Sequence, residues 1–176
     1  GKGIKNPGRV ISDYFSFSDF APTFLDLTGI PEERYDMEPF SGKSWRNVFD
    51  NLIDSNPRTY MIVGKERHDV GRKNDHGYPV RGILEGKYFY SINFKPERWP
   101  AGNPETGYLN TDGSPTKTEI LNLHRHGKDS TYWNYAFGKR PKEELYDIEK
   151  DPQCLTNLAL DDHYSSLKKS LSDKLI

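Results

Sequence analysis

Two adjacent β-rich runs constrain the fold more than any other feature of the sequence. Residues 78–84 and 87–93 are rich in Tyr, Phe, Val and Ile, and the dipeptide Glu85-Gly86 separates them. Glycine accepts the positive φ that a tight hairpin turn requires. A connection of two residues can join only antiparallel strands, because a parallel pair needs a long crossover. The sequence therefore predicts a β-hairpin as the centre of an antiparallel sheet.

Further strand and helix patterns surround this hairpin. Residues 59–64 and 144–148 have strand composition, which brings the sheet to about four strands. Helices are predicted at 18–28, from Pro115 onwards behind a Ser114 cap, and after a cap at Asp161 or Asp162. Residues 31–58 are predicted to form a long loop with short helical pieces, and residues 127–143 are predicted to form a loop. This order favours an α+β fold, in which a small antiparallel sheet is packed by helices on one side.

The helix at 18–28 has the clearest boundaries. Ser18 or Asp19 can cap its first turn, and Gly29 can supply a left-handed end. Its apolar stripe follows the spacing i, i+4, i+7 and consists of Phe20, Phe24 and Leu27. We expect this stripe to pack against another part of a larger protein, because an exposed apolar patch invites aggregation.

Composition excludes several classes of partner. The chain of 176 residues has a net charge of −1, so no broad basic face for nucleic acid is expected. No apolar run approaches the roughly 20 residues that span a membrane. Cys154 is the only cysteine, so it forms no internal disulfide, and a bystander thiol is the expected role. We expect no nucleic-acid partner and no membrane insertion.

A polar segment between the first two predicted strands holds the densest group of charged side chains. Its candidate substrate-binding residues are Arg67, His68, Asp69, Arg72 and Asp75. Loops held by strands often carry binding residues, and a guanidinium can grip a sulfate or carboxylate through two parallel donors. The alternative is that the arginines and acids are surface charges and that His68 is a structural donor. The residues alone leave both interpretations open.

A second candidate stretch follows the hairpin. Arg98 and Trp99 lie in a loop rich in Gly and Pro, between residues 94 and 113. An aromatic side chain beside cationic ones is a plausible platform for a sugar. The alternative is a loop that one buried tryptophan holds in place.

Several segments, in a fixed order, resemble the sulfatase family. They are 18–30, Gly42-Lys43-Ser44, Gly77-Tyr78-Pro79-Val80-Arg81, 93–102, Ser114-Pro115-Thr116, Glu144-Leu145-Tyr146-Asp147 and Asn157-Leu158-Ala159. Together they are most similar to heparan N-sulfatase (N-sulfoglucosamine sulfohydrolase)-like bacterial sulfatases. The resemblance covers essentially the whole chain and matches the C-terminal portion of the family.

This resemblance implies which domains of the parent enzyme the chain contains and which domain carries the catalytic residues. Residues 1–57 would be the tail of an alkaline-phosphatase-like catalytic domain, and residues 58–176 would form the C-terminal subdomain. The family's formylglycine nucleophile and Ca²⁺ ligands would lie upstream. The nearest string to its Cys/Ser-x-Pro-x-Arg motif, Ser55-Asn56-Pro57-Arg58, has its arginine one position too early. We therefore expect no catalytic residue and no metal ligand in this chain, and a substrate-contact role for Arg67 and His68.

The implied function is hydrolysis of sulfate esters or N-sulfate groups of a glycosaminoglycan sugar by a periplasmic or secreted parent enzyme. The chain would supply substrate-pocket loops, would need the N-terminal catalytic domain as its partner, and would be inactive alone. Two alternatives remain. One is a stand-alone carbohydrate-binding or interaction module, and the other is part of a related phosphomonoester or phosphonate hydrolase.

Overall fold

The computed structural model describes residues 3–52, 57–67, 72–106 and 111–176, without the side chains of Glu32 and Lys73. The chain divides into two compact units, which we call the N-terminal unit (Gly1–Met61) and the C-terminal unit (Ile62–Ile176). The assignment of residues 1–57 to a catalytic domain stays a prediction.

Short helices and loops make up the N-terminal unit. A 3₁₀ turn at Phe17–Asp19 leads into α1 (Phe20–Thr28), which ends at Gly29 with φ of 71°. A second 3₁₀ turn covers Glu32–Arg34, and α2 covers Arg46–Phe49. The predicted helix at 18–28 and the short helical pieces within 31–58 are therefore confirmed.

The cap of the first helical turn differs from the prediction. Ser16, and not Ser18 or Asp19, is the capping residue: its side chain accepts from the Ser18 amide, and the Asp19 carboxylate accepts from the Ser16 amide. The difference arises because a 3₁₀ turn precedes α1, which moves the first free amides towards the N-terminus.

The carboxylate of Asp19 is the buried centre of the N-terminal unit. It accepts two parallel hydrogen bonds from Arg58, at 2.7 and 2.8 Å, one from the Trp45 indole at 3.1 Å and one from the Lys43 amide at 3.0 Å. The Arg58 guanidinium holds the pKa of this carboxyl well below its usual range, against the opposing effect of burial. Arg58 is therefore a structural partner of Asp19.

Two of the sulfatase-like segments meet at this centre. The Thr23 hydroxyl in α1 donates to the Asp19 carbonyl at 2.6 Å and accepts from the Trp45 amide at 2.9 Å. A Cβ atom at Gly42 would overlap the carbonyl oxygen of Ser18, so only glycine fits at that position. The Gly42-Lys43-Ser44 segment is thus packed directly on the start of α1.

A four-stranded sheet organises the C-terminal unit. The strands are β1 (Tyr60–Lys65), β2 (Val80–Glu85), β3 (Tyr88–Asn93) and β4 (Glu143–Asp147), in the order β1-β2-β3-β4. β2 and β3 are antiparallel with Glu85 opposite Tyr88, so the turn residues are Gly86 and Lys87. The turn lies one residue later than predicted, and Gly86 has the expected positive φ, 54°.

β4 pairs antiparallel with β3, and its other edge is covered by the chain that follows it. The amide of Leu145 donates to the Asn157 side chain at 2.9 Å, and the Leu158 amide donates to the Leu145 carbonyl at 2.8 Å. The Asn157-Leu158-Ala159 segment therefore satisfies backbone groups that an edge strand would expose.

Among its described residues, the C-terminal unit has three α-helices: α3 (Pro115–Arg125), α4 (Thr131–Phe137) and α5 (Ser165–Leu175). α3 begins as predicted, with the Ser114 hydroxyl accepting from the Lys117 amide at 3.1 Å. Asp161 caps a 3₁₀ turn at Asp162–Tyr164 that leads into α5, which confirms the last helix.

The prediction that residues 127–143 form only a loop is wrong, because α4 lies within them. Its seven residues include four aromatic side chains, which have modest helix propensity. A helix this short is not stable by itself and depends on packing, for which the local sequence offers no periodic signal.

The core of the C-terminal unit lies between the sheet and α5, which packs on β2 and β3. Its fully buried side chains include Ile83, Tyr90, Leu145 and Leu171. This arrangement confirms the α+β fold with a small antiparallel sheet. In the described part of the chain, no helix is long and apolar enough to span a membrane.

Candidate substrate-binding site

The loop after β1 places two of the predicted site residues at its surface. The Tyr78 amide donates to the Glu66 carbonyl at 2.8 Å and closes the loop. Arg67 and Asp75 form an ion pair, and each side chain is about half exposed (47% and 48%). Exposed pairs of this kind add little stability, so both groups can exchange partners. The candidates His68 and Asp69 lie outside the described residues.

Arg72 occupies a different environment, since it is only 7% exposed. Its Nε donates to the Trp99 carbonyl at 2.7 Å, one Nη donates to the Pro100 carbonyl, and the guanidinium lies 5.3 Å from the centre of the Tyr78 ring. Burial lowers the pKa of Arg72, and the nearby Arg98 charge acts in the same direction. Arginine nevertheless stays protonated in proteins, so a buried positive charge is present here.

The two candidate stretches come together at this point. Arg98 donates to the Gly77 carbonyl at 2.9 Å, while Arg72 binds the backbone at Trp99 and Pro100. Each loop therefore has an arginine that donates hydrogen bonds to backbone carbonyl groups of the other loop. Arg72, Arg98 and Trp99 are brought together by these contacts.

Aromatic groups from α3 and α4 complete the surroundings of Trp99. The Trp133 ring lies edge-on to Trp99 at 5.9 Å, and His124 stacks on Trp133 at 4.1 Å. The Lys139 ammonium lies 5.1 Å from the centre of the Trp99 ring. We call Arg72, Tyr78, Arg98, Trp99, Trp133, His124 and Lys139 the arginine–tryptophan cluster. It combines cationic groups with aromatic faces.

Four members of this cluster were missed by the sequence analysis: Tyr78, Trp133, His124 and Lys139. Tyr78 was placed in a strand, and Trp133 and Lys139 in a loop without assigned structure. The one available signal is the aromatic run around Trp133. Its partner Trp99 lies 34 positions earlier, and local patterns do not report such pairings.

The described residues do not fit a calcium site. Within the described ranges, no group of three His, Cys, Asp or Glu side chains is close enough to hold a metal ion. Glu144, the buried acid beside the cluster, accepts from Tyr146 at 2.8 Å and from Asn93 at 2.9 Å.

Comparison with known proteins also links this chain to sulfatases. No family model matches the sequence. The chain is 28% identical over 180 residues to human N-sulphoglucosamine sulphohydrolase, covering 97% of this chain and 33% of that protein. It is also 28% identical over 164 residues to an ulvan-active sulfatase of Formosa agariphila, covering 91% of this chain and 24% of that protein. The chain is thus similar to sulfatases along nearly its whole length.

The chain matches only one portion of each of these relatives, as expected of a fragment. It spans about a third or less of the length of the curated relatives named above. A structural neighbour, solved in complex with its substrate D-glucosamine-2-N,6-O-disulfate, has a TM-score of 0.51 at 17% identity. The match covers 89% of this chain and 22% of that neighbour, and it supports the fold alone. The substrate-binding role of the seven candidate residues stays a prediction.

Proposed function

We propose that the parent protein is a sulfatase, a sulfuric ester hydrolase that cleaves sulfate esters or N-sulfate groups of a glycosaminoglycan sugar resembling N-sulfoglucosamine. The chain supplies loops of the substrate pocket and does not supply the nucleophile. The observation that carries this proposal is the similarity to an N-sulphoglucosamine sulphohydrolase along 97% of the chain.

The arginine–tryptophan cluster supports the recognition role. Guanidinium groups bind sulfate and carboxylate oxygens through paired N–H donors, and Arg67 and Arg98 are partly exposed in the two loops. The flat face of Trp99 can pack against the C–H face of a sugar ring, in the way that aromatic groups bury apolar surface. Cations around these groups favour an anionic sugar over a neutral one.

The reaction itself requires groups from the N-terminal catalytic domain, which we propose as the partner of this chain. There, a formylglycine residue would supply the nucleophile and Ca²⁺ would hold the sulfate group. Support comes from the first 3₁₀ turn and α1, where the stacked rings of Phe17, Phe20 and Phe24 are 85%, 40% and 60% exposed. An apolar surface of this kind fits an interface between protein parts. We also propose that the parent is periplasmic or secreted.

Sulfate release tests the proposal directly. The longest natural polypeptide that contains these residues and the 176-residue chain alone would be assayed on N-sulfated and 6-O-sulfated glucosamine. A phosphate monoester and a phosphonate monoester test the related hydrolase activity. We expect sulfate release by the longer polypeptide only. Release by the isolated chain, or faster turnover of the phosphorus esters, would contradict the proposal. Saturable binding of heparan fragments by the chain, with an inactive longer polypeptide, would support a binding module instead.

A matched pair of variants separates recognition from folding. In the longer polypeptide, Trp99→Ala should lower kcat/KM by about tenfold or more, mostly through KM, because it removes ring packing worth about 1.5 kcal/mol. Tyr132→Ala on α4 removes an aromatic side chain that is 62% exposed and lies outside the cluster. It should leave both constants within about twofold. Equal losses in the two variants would show that Trp99 has no special role in binding.

A further inference from the structure

Buried polar atoms without partners are concentrated in the arginine–tryptophan cluster. In the described part of the chain, five buried side-chain nitrogen or oxygen atoms lack a hydrogen-bond partner. Three of them belong to this cluster: an Nη of Arg72, the Tyr78 hydroxyl and the Trp133 indole nitrogen. Contacts connect these residues, since Arg72 lies over the Tyr78 ring and holds the backbone of Trp99, whose ring meets Trp133.

Such atoms are costly to leave without partners. A buried donor that has given up water without gaining an acceptor loses hydrogen-bond energy outright, and the loss is larger for a charged group. Arg72 is the extreme case, because it is 93% buried and forms no ion pair within the described ranges. Buried donors in native proteins nearly always have a protein, water or ligand partner. An acceptor from outside the described chain therefore fits at this place.

The charge of the surroundings selects the kind of acceptor. Each of the three atoms can donate a hydrogen bond, and Arg98 and Lys139 add positive charge nearby. Glu144 and Glu97 add two negative charges near Tyr78, and Arg140 adds one positive charge. With Arg72 included, four cations face two acids, so the surroundings stay positive. An anionic oxygen group satisfies the donors and the charge together, whereas a water molecule satisfies only the donors.

We propose that Arg72 and Tyr78, with Trp133 beside them, form a binding site for an anionic oxygen group of the sugar, a sulfate or a carboxylate. This inference rests on the proposed function, and it adds that the bound group is not the one hydrolysed. The scissile group must lie at the nucleophile, and the described residues hold no metal-binding set. The substrate class is accordingly a sugar with at least two anionic groups. Sugars with a single anionic group should therefore be poorer substrates than sugars with two, because the donors would stay buried and unpaired.

Titration of the 176-residue chain with inorganic sulfate tests the site, with Trp99 and Trp133 fluorescence as the signal. Sodium chloride at matched ionic strength is the control for screening, and acetate distinguishes a carboxylate site from a sulfate site. We expect a saturable change with sulfate or acetate and none with chloride. Tyr78→Phe should weaken the binding about tenfold, which is the value of one hydrogen bond to a charged group. Tyr132→Phe removes the hydroxyl of an exposed tyrosine outside the cluster and should leave binding within about twofold. Equal responses to all three salts would overturn the proposal, as would equal losses in the two variants.

Thermal unfolding without added anion gives a second, independent test. If the Tyr78 hydroxyl has no partner in the free chain, Tyr78→Phe removes an uncompensated polar group and should melt at or above the wild-type temperature. A clearly lower melting temperature would show that water or protein already satisfies the hydroxyl, which would overturn the anion site. The outcomes also separate the two proposals. Anion binding by a chain whose longer polypeptide releases no sulfate would contradict only the proposed function, and the reverse pattern would contradict only this site.

Discussion

The interactions that stabilise the interior of the N-terminal unit differ from those that stabilise the C-terminal unit. In the described part of the chain, eleven hydrophobic side chains are buried, and ten of them belong to the C-terminal unit. The N-terminal unit contributes only Trp45, and even this ring is fixed by a hydrogen bond to Asp19. The N-terminal unit is organised around one buried carboxylate, whereas the C-terminal unit has an apolar core between a sheet and a helix.

This difference predicts how a substitution should destabilise each unit. A polar centre depends on geometry and charge, so removing one partner leaves the others buried and unsatisfied. The stability of an apolar core depends on how completely its volume is filled. The unfolding free energy lost on substitution therefore increases with the volume of the cavity that the substitution leaves. The following predictions test this contrast, beginning with the largest expected effect.

Asp19→Asn should give the largest loss, about 3–5 kcal/mol of unfolding free energy for the N-terminal unit, because it leaves the Arg58 charge buried without its partner. The indole N–H resonance of Trp45 reports on this unit, since that group donates to Asp19. It should shift and broaden in the variant. The exposed Asp13 provides the control, and Asp13→Asn should leave the resonance in place. If Asp19→Asn and Asp13→Asn changed the resonance equally, the predicted contrast between the two units would be wrong.

Leu171→Ala should destabilise the C-terminal unit by about 2–5 kcal/mol, because the side chain is fully buried between α5 and the sheet. Leu160 is 93% exposed, and Leu160→Ala should change stability by no more than about 0.5 kcal/mol. Chemical denaturation measures both. In Leu171→Ala the Trp45 resonance should persist until the N-terminal unit itself unfolds, and its early loss would show that the two units unfold together.

Acid should affect the N-terminal unit more than the C-terminal unit. The pKa of Asp19 is lowered in the folded state, mainly by Arg58, so the unfolded chain takes up the proton first as the pH falls. The stabilisation is therefore complete above the ordinary carboxyl pKa of about 4 and is lost progressively below it. The Trp45 resonance should therefore weaken as the pH falls below about 4. Asp19→Asn should abolish this dependence, and a persistent pH effect in that variant would assign it to another group.

The smallest predicted effect concerns the cap of α3. Ser114→Ala removes the hydroxyl that accepts from the Lys117 amide and should cost about 1 kcal/mol. Ser114→Asp should restore most of the loss, because aspartate is an equally good cap. Differential scanning calorimetry of the C-terminal unit's transition measures both. A loss of stability as large as that of Leu171→Ala would mean that this helix cap contributes as much stability to the unit as a fully buried core side chain.

The sequence predicted those elements whose signals are local. The hairpin followed from two β-rich runs around Gly86, and α3 followed from Ser114 and Pro115, since turn and cap chemistry act within a few residues. The start of α1 and the existence of α4 were missed. Both depend on contacts that a local pattern does not contain: Asp19 with distant partners, and the aromatic residues of α4 with α3 and Trp99.

The candidate site was predictable in part for the same reason. Arg72, Arg98 and Trp99 were chosen for their chemistry, and the structure brings them together through backbone carbonyls. Sequence could not show that Arg72 is buried while Arg67 stays at the surface, because burial follows from how the two loops fold over each other. Whether the seven candidates bind substrate stays a prediction that the variants above address.

The contacts around Asp19 have a consequence for protein engineering. Residues 16–58 contain the carboxylate, its arginine, the hydroxyl of Thr23 and the glycine that fits beneath Ser18. A crossover placed between two related enzymes within the loop at 31–41 would take α1 from one parent and Gly42 from the other. Hybrid proteins should therefore inherit this whole stretch from a single parent, and exchanges of the loops that follow β1 and β3 are better joined after residue 58.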